Sequence, residues 1–210
     1  MVARYDRAMQ SRSVPDRDAM ADRPAGPMLI VVSGAPGSGK TTLARRIADE
    51  LGLLLISKDA IKESLADAVG LPRTVDESSR LGEAAYAAMF MLATATLDAG
   101  GTAILDSNFR RDRSEDELVA VAAGHPVRVL HFEADPTTIE RRYRARASTR
   151  HPCHLDLLRT ADVLRELADG SYAPLAILDA PVLVIRTDGD APPSLGPIRS
   201  FVTRPASIGP

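Results

Sequence analysis

The chain has 210 residues, 45% of them hydrophobic, which suits one globular domain with a buried core and room for a small mobile insert. Lys and Arg number 26 against 28 Asp and Glu, and the resulting net charge of −2 argues against a protein wrapped broadly around nucleic acid, though one local basic patch escapes that test. The single cysteine, Cys153, excludes an internal disulfide and no apolar run approaches membrane-spanning length, so the expected setting is cytoplasmic.

Residues 1–27 mix arginines and aspartates (Arg4, Asp6, Arg7, Arg12, Asp16) without an apolar segment, unlike a secretory signal. They read as a flexible extension, or as sequence ahead of a start at Met28. The apolar run 28–33 then predicts a first strand, and the pattern over 40–51 predicts a helix. Between them Gly34-Ala35-Pro36-Gly37-Ser38-Gly39-Lys40-Thr41 fills every position of the phosphate-loop pattern G-x-x-x-x-G-K-[ST], in the strand–loop–helix context that gives the pattern meaning. Its glycines open backbone angles closed to other residues, so successive N–H groups can turn around an anion, and the helix start adds unpaired amides. Lys40 supplies charge for the β and γ phosphates and the Thr41 hydroxyl can hold Mg²⁺. Gly34 through Thr42 are the expected nucleotide contacts.

A second strand, 53–57, leads into Ser57-Lys-Asp59 and a helix over 59–69. Asp59 returns to the sheet edge that carries the phosphate loop, where a carboxylate can take the proton of an attacking hydroxyl; it can equally cap the helix. Lys62, one turn on, shares its face and can bind substrate or the moving phosphate. The helix over 76–99 places Ala84, Ala88, Met91, Leu92 and Ala95 on one face, read as core packing, and Gly100-Gly101 ends it. The third strand, 102–106, closes on Asp106, a Walker B position from which Mg²⁺ is within reach. Ser107 stands where ATP-hydrolysing machines carry a glutamate, which argues against a motor. Asp106 and Asn108 can instead orient an acceptor, or Asp106 can be satisfied by loop amides.

A helix over 112–123, a strand at 127–132 and a helix over 136–147 follow. The last carries the densest basic run, with Arg142 and Arg146 on one face and Arg150 beyond it. Forked guanidiniums there suit a lid, about 142–156, that closes over ATP, with Arg150 on the substrate side; a solvated face paired with Glu140 and Glu133 is the plainer alternative. His151, Cys153 and His154 are too tightly packed for a closed zinc site. A helix over 156–169 and a strand at 182–186 complete the series, and 189–210, with Pro192, Pro193, Pro197, Pro205 and Pro210, is expected as a flexible tail. No N-K-x-D guanine motif occurs, so adenine is the expected base.

Unbroken apolar strands alternating with helices predict an α/β domain over 28–188, a three-layer sandwich on a five-stranded parallel sheet. The loop Gly34–Thr41, Ser57-Lys-Asp59, Leu105-Asp-Ser-Asn108 and the arginines of 142–151 together resemble the small P-loop kinases of the adenylate-kinase-like superfamily. The nearest look is that of short bacterial proteins related to polynucleotide 5′-hydroxyl kinase, chloramphenicol phosphotransferase and zeta-toxin kinases. The resemblance implies Asp59 as general base, Lys62 on substrate or phosphate, and Arg142 and Arg146 on ATP. It also implies that the segment after Val184–Asp188 lines adenine. The expected activity is ATP- and Mg²⁺-dependent transfer of the γ-phosphate to a hydroxyl of a small molecule, with Asp59 and Lys40 as catalytic residues and Thr41 and Asp106 on the metal. The alternatives are a polynucleotide 5′-kinase, for which Lys62 in place of arginine is a departure, and a nucleotide-gated regulatory protein.

Overall fold

In a computed structural model the described residues are 24–147, 149–189 and 192–204. Most of the expected N-terminal extension, and residues 190, 191 and 205–210 of the expected tail, lie outside them. The chain runs β1 (Leu29–Gly34), α1 (Lys40–Leu51), β2 (Leu54–Ser57), α2 (Lys58–Val69), α3 (Val75–Asp98), β3 (Ala103–Asp106), α4 (Glu115–Ala122), β4 (Val127–Glu133), α5 (Pro136–Arg146), a 3-10 turn (Pro152–His154), α6 (Asp156–Ala168), β5 (Val182–Arg186) and α7 (Leu195–Thr203).

All strand pairings are parallel, in the order β2-β3-β1-β4-β5. β1 lies in the middle with all six residues buried. Alternation then feeds two layers. Leu29 and Val31 pack with Met89, Ala93 and Leu97 of α3 and Leu118 of α4. Ile30 and Val32 pack with Leu43, Ala44 and Ile47 of α1 and Ile198 and Val202 of α7. The five predicted strands are therefore present, but not all are covered on both faces. β2 and β5 are the sheet edges, where Leu54, Val182 and Val184 stay exposed.

Two expectations are corrected. The buried stripe of α3 is Ser78, Gly82, Ala85, Met89, Ala93 and Leu97, one position round from the predicted face. Met91 and Leu92 are 65% and 42% exposed instead. So many alanines surround the helix that its hydrophobic pattern does not separate adjacent faces. The tail is also not uniformly loose, because residues 195–203 form α7 with Ile198 and Val202 buried. Arg128, buried in β4, donates to the carbonyls of Phe201 and Arg204 and places a cation at the C-terminal end of α7. Ile198→Ala is accordingly expected to lower stability by about 2–5 kcal/mol in urea unfolding, as core truncations do. A loose tail would leave the midpoint where it was.

Candidate active site

Parallel strands deliver their carboxyl ends to one edge, and that edge gathers the candidate residues. Ser57, Asp106 and Val32 are register partners on β2, β3 and β1. The phosphate loop leaves β1 at Gly34, whose φ of 131° favours glycine, and a Cβ there would stand 2.3 Å from the carbonyl oxygen of Phe132 on β4. Gly39 precedes α1 without capping it through a side chain, so the first amides of that helix remain available to an anion. Lys40 is buried along the loop, with its ammonium on the carbonyl of Ala35 (3.4 Å) and on Asn108 Oδ1. Burial lowers its pKa to about 8, against the opposing charges of Asp106 and Asp59. Ala35 and Ser38 are buried, Pro36 and Gly37 complete the turn, and Thr42 faces outward.

Asp106 is 3% exposed. Its Oδ2 accepts from the Ser57 hydroxyl at 3.4 Å, the Thr41 hydroxyl lies close enough to lower its pKa, and Oδ1 has no hydrogen-bond partner although buried. Burial raises its pKa, partly offset by Lys40. An unfilled carboxylate oxygen between two hydroxyls suits a hard cation that completes its shell with phosphate oxygens and water, as Mg²⁺ does. Among the described residues no group of three or more His, Cys, Asp or Glu offers a protein-only metal site.

Ser57, not Asp59, is the N-cap of α2, its hydroxyl accepting from the Ala60 amide at 3.5 Å. Capping therefore does not account for Asp59, which sits in the first turn facing a cleft of about 360 Å³ lined also by Pro36, Lys62, Tyr86 and Asn108. Lys58 Nζ lies 3.4 Å from Asp59 Oδ1, and Arg150 donates to Oδ2. Burial alone would raise the carboxyl, but Lys58, Arg150, His154 and Lys40 overrule it and hold Asp59 well below the usual carboxylate range. Lys62 is 1% exposed, and donates to Ser78 Oγ at 2.7 Å, which donates in turn to the Cys153 carbonyl at 2.7 Å.

The arginines divide. Arg142 turns to the end of β5 and donates to Thr187 O (2.7 Å) and Thr187 Oγ1 (3.2 Å), while the Thr187 hydroxyl donates to Ser38 O of the phosphate loop at 2.8 Å. Arg146 and Arg150 turn to Asp156. Arg150 NH1 reaches both Asp156 oxygens at 2.9 Å, and Arg146 Nε stands 3.7 Å from Oδ2. Arg146 Nε and NH2 are buried without hydrogen-bond partners, which is a place for an anion's oxygens. The shared helix face expected for Arg142 and Arg146 thus does not translate into shared partners. The plainer alternative holds for Arg144, paired with Glu140 at 2.7 Å, whereas Glu133 faces Arg186 and His131. His151 and His154 go to Asp67 and Glu63 separately, at 3.2 and 2.8 Å. Asp156 and Lys58 escaped the sequence reading. A carboxylate opening a helix resembles an ordinary dipole charge, and Lys58 is an unremarked neighbour of Asp59.

The AAA_33 family of AAA domains matches residues 29–168, well over half of the chain. The chain belongs to that family. A crystal structure of a candidate kinase from Chloroflexus aurantiacus J-10-fl is similar, with a TM-score of 0.73, 29% identity, and coverage of 84% of this chain and 96% of that one. Cytidylate kinase of Aeropyrum pernix is 38% identical over 105 residues, 47% of this chain and 59% of the relative. That of Ignicoccus hospitalis is 44% identical over 43 residues, 20% of this chain and 25% of the relative. The chain therefore spans between a quarter and three fifths of the curated relatives it matches. Fold and family together are those of a small P-loop protein of the kinase kind. Among the described residues no helix is long and apolar enough to cross a membrane.

Because the folded Asp59 carboxyl lies below its unfolded value of about 3.9, its stabilisation is complete above that pH and is lost on further acidification. Acid unfolding followed by circular dichroism should therefore be shallower below about pH 4 in Asp59→Asn than in the parent chain. Removing the carboxylate shared by two arginines, in Asp156→Ala, is expected to cost about 3 kcal/mol in urea unfolding, the lower end for breaking a buried pair.

Proposed function

We propose that the protein is an ATP- and Mg²⁺-dependent kinase that moves the γ-phosphate of ATP to a hydroxyl of a small-molecule acceptor. The observation that carries this reading is that Asp59, an ionised carboxylate in the first turn of α2 just beyond β2, shares one cleft edge with the phosphate loop and is within electrostatic reach of Lys40. A carboxylate in that place has the task of accepting the hydroxyl proton as the oxygen attacks phosphorus.

Gly34 to Thr41 would hold the phosphates, with Lys40 leaving Asn108 to meet them. Thr41 and Asp106 would hold Mg²⁺, which supplies charge neutralisation on the phosphate oxygens. The unpartnered Arg146 donors fit a phosphate oxygen better than solvent, since they are already buried. Arg150 has the opposite task. While it clamps Asp59, the carboxylate is too acidic to be an effective base, so it must part from Asp59 as nucleotide and acceptor enter. Lid arginines drawn to the triphosphate would free the base only when the donor is bound, which also limits transfer to water. Arg142 acts differently, tying α5 to Thr187 and through it to the loop backbone.

Asp59→Asn tests the reading. It should lower kcat by about 10²–10⁴-fold in a labelled γ-phosphate transfer assay across sugars, antibiotics and nucleosides, while the Kd for ATP stays within about threefold. Loss of ATP binding in that variant would mark Asp59 as structural and sink the proposal. Slow ATP hydrolysis indifferent to every hydroxyl compound would favour a nucleotide-gated regulator instead.

A further inference from the structure

The cations around the cleft sort by their partners. Lys58 and Arg150 are spoken for by Asp59, and Arg110 by Glu166 at 2.5 Å. Lys62, Arg113 and Arg159 line the same cleft, and among the described residues none of them has a carboxylate within ion-pair distance. We propose that these three hold an anionic group, phosphate or carboxylate, on the acceptor itself, so that the substrate is a small hydroxyl compound bearing its own negative charge. This rests on the kinase reading above.

Lys62 carries the argument furthest. An ammonium has three donors, and this one, 99% removed from solvent, makes a single hydrogen bond among the described residues, to a neutral hydroxyl. The carboxylate that attracts it, Asp59, is already paired with Lys58 and Arg150, so burial of this ion is unfavourable and an anion in the cleft would relieve it. A purely structural strut between α2 and α3 needs no charge there. Burial, with Lys58 and Arg159 adding to it and Asp59 opposing, lowers the pKa of Lys62 to about 8, so the group is still mostly charged at neutral pH and is repelled by Lys58 and Arg159. Glu83 and Glu117 also line the cleft, but both are exposed, as Arg113 is, where water and salt screen them, whereas Lys62 is buried and Arg159 half-buried. Arg159 lies one turn beyond Asp156 on α6, and Arg113 in the loop before α4. Two forked guanidiniums match phosphate and carboxylate oxygens.

The spacing also limits the size of the acceptor. Lys62 is three residues after Asp59 on one helix, which sets their Cβ atoms roughly 5–6 Å apart. The accepting hydroxyl and the anionic group thus lie within one small cleft, which favours a compact acceptor. In the reaction the bond between the γ-phosphorus and the ADP oxygen breaks, the acceptor oxygen forms the new bond, its proton passes to Asp59, and ADP leaves.

Matched pairs test this: glycerol and glycerol 3-phosphate, glucose and gluconate, cytidine and CMP, each with labelled ATP and the product linkage read by ³¹P NMR. The anionic member should be favoured at least about tenfold in kcat/KM, and Arg159→Gln and Arg113→Gln should each raise its KM about fivefold or more, with kcat, the KM for ATP and the thermal midpoint unchanged. Equal use of both members, or an unchanged preference in Arg159→Gln, overturns the anionic subsite and leaves the hydroxyl kinase standing. Transfer onto the anion itself, read as a phosphoanhydride, keeps the subsite and overturns the hydroxyl reading. A second measurement needs no acceptor. With the phosphate loop filled by a non-hydrolysable ATP analogue and Mg²⁺, calorimetry with inorganic phosphate should find a further site that weakens as pH rises through about 8, where Lys62 loses its proton, and that weakens about tenfold in Arg159→Gln. No heat of binding, or binding indifferent to Arg159, overturns the proposal.

Discussion

Gly34 leaves β1 at φ 131° against the carbonyl of Phe132, in a space where any side chain would begin 2.3 Å from a backbone oxygen. That contact fixes the direction in which the loop turns between β1 and α1, and so where the amides of the helix start point. The neighbouring strands then bring their own ends alongside, because a parallel sheet with β1 at its centre has one carboxyl edge. Asp106 arrives from β3 and Asp59 follows from β2 without any further device. The site is a product of sheet order more than of any loop of its own.

Two carboxylates at that edge titrate in opposite senses. For Asp106 burial outweighs Lys40 and the proton is held more tightly, whereas for Asp59 the neighbouring cations, Lys58 and Arg150 foremost, outweigh burial and the proton is expelled. Divergent environments around like groups are how one fold separates roles, and they are consistent with the roles proposed above, a cation ligand beside hydroxyls and a base on the acceptor side. The same arithmetic explains the lysines. Lys40 and Lys62 both fall to about 8 through burial, but Lys40 is held up by Asp106 and Asp59 whereas Lys62 is pressed by Lys58. One stands beside carboxylates, and the other among cations.

Sequence alone carried the strands, the phosphate loop and the return of Asp59 and Asp106 to one edge, because unbroken apolar runs, a filled glycine pattern and parallel topology each have few alternative readings. It misplaced the buried face of α3, since alanine packs inward or outward with little difference in area. It missed α7, whose stability comes from Arg128 and from burial of Ile198 and Val202, long-range contacts invisible to composition. It paired Arg142 with Arg146 by periodicity. Their partners, Thr187 and Asp156, lie 45 and 10 positions away by number, and helical spacing predicts neither.

The Arg142 link has a mechanical meaning. Arg142 is fastened to Thr187, Thr187 to Ser38, and a Cβ on Gly37 would stand 3.0 Å from the Ile139 carbonyl, so the middle of α5 is braced against the floor of the nucleotide site. A swing that carries Arg146 and Arg150 toward or away from Asp59 therefore has its fulcrum near Arg142, and the moving arm is the end of α5 with the turn after it. A lever so anchored cannot lift off the loop as a whole. In the lid closure proposed above it would pivot, and a phosphate on the loop would press at the same point from which the arm turns.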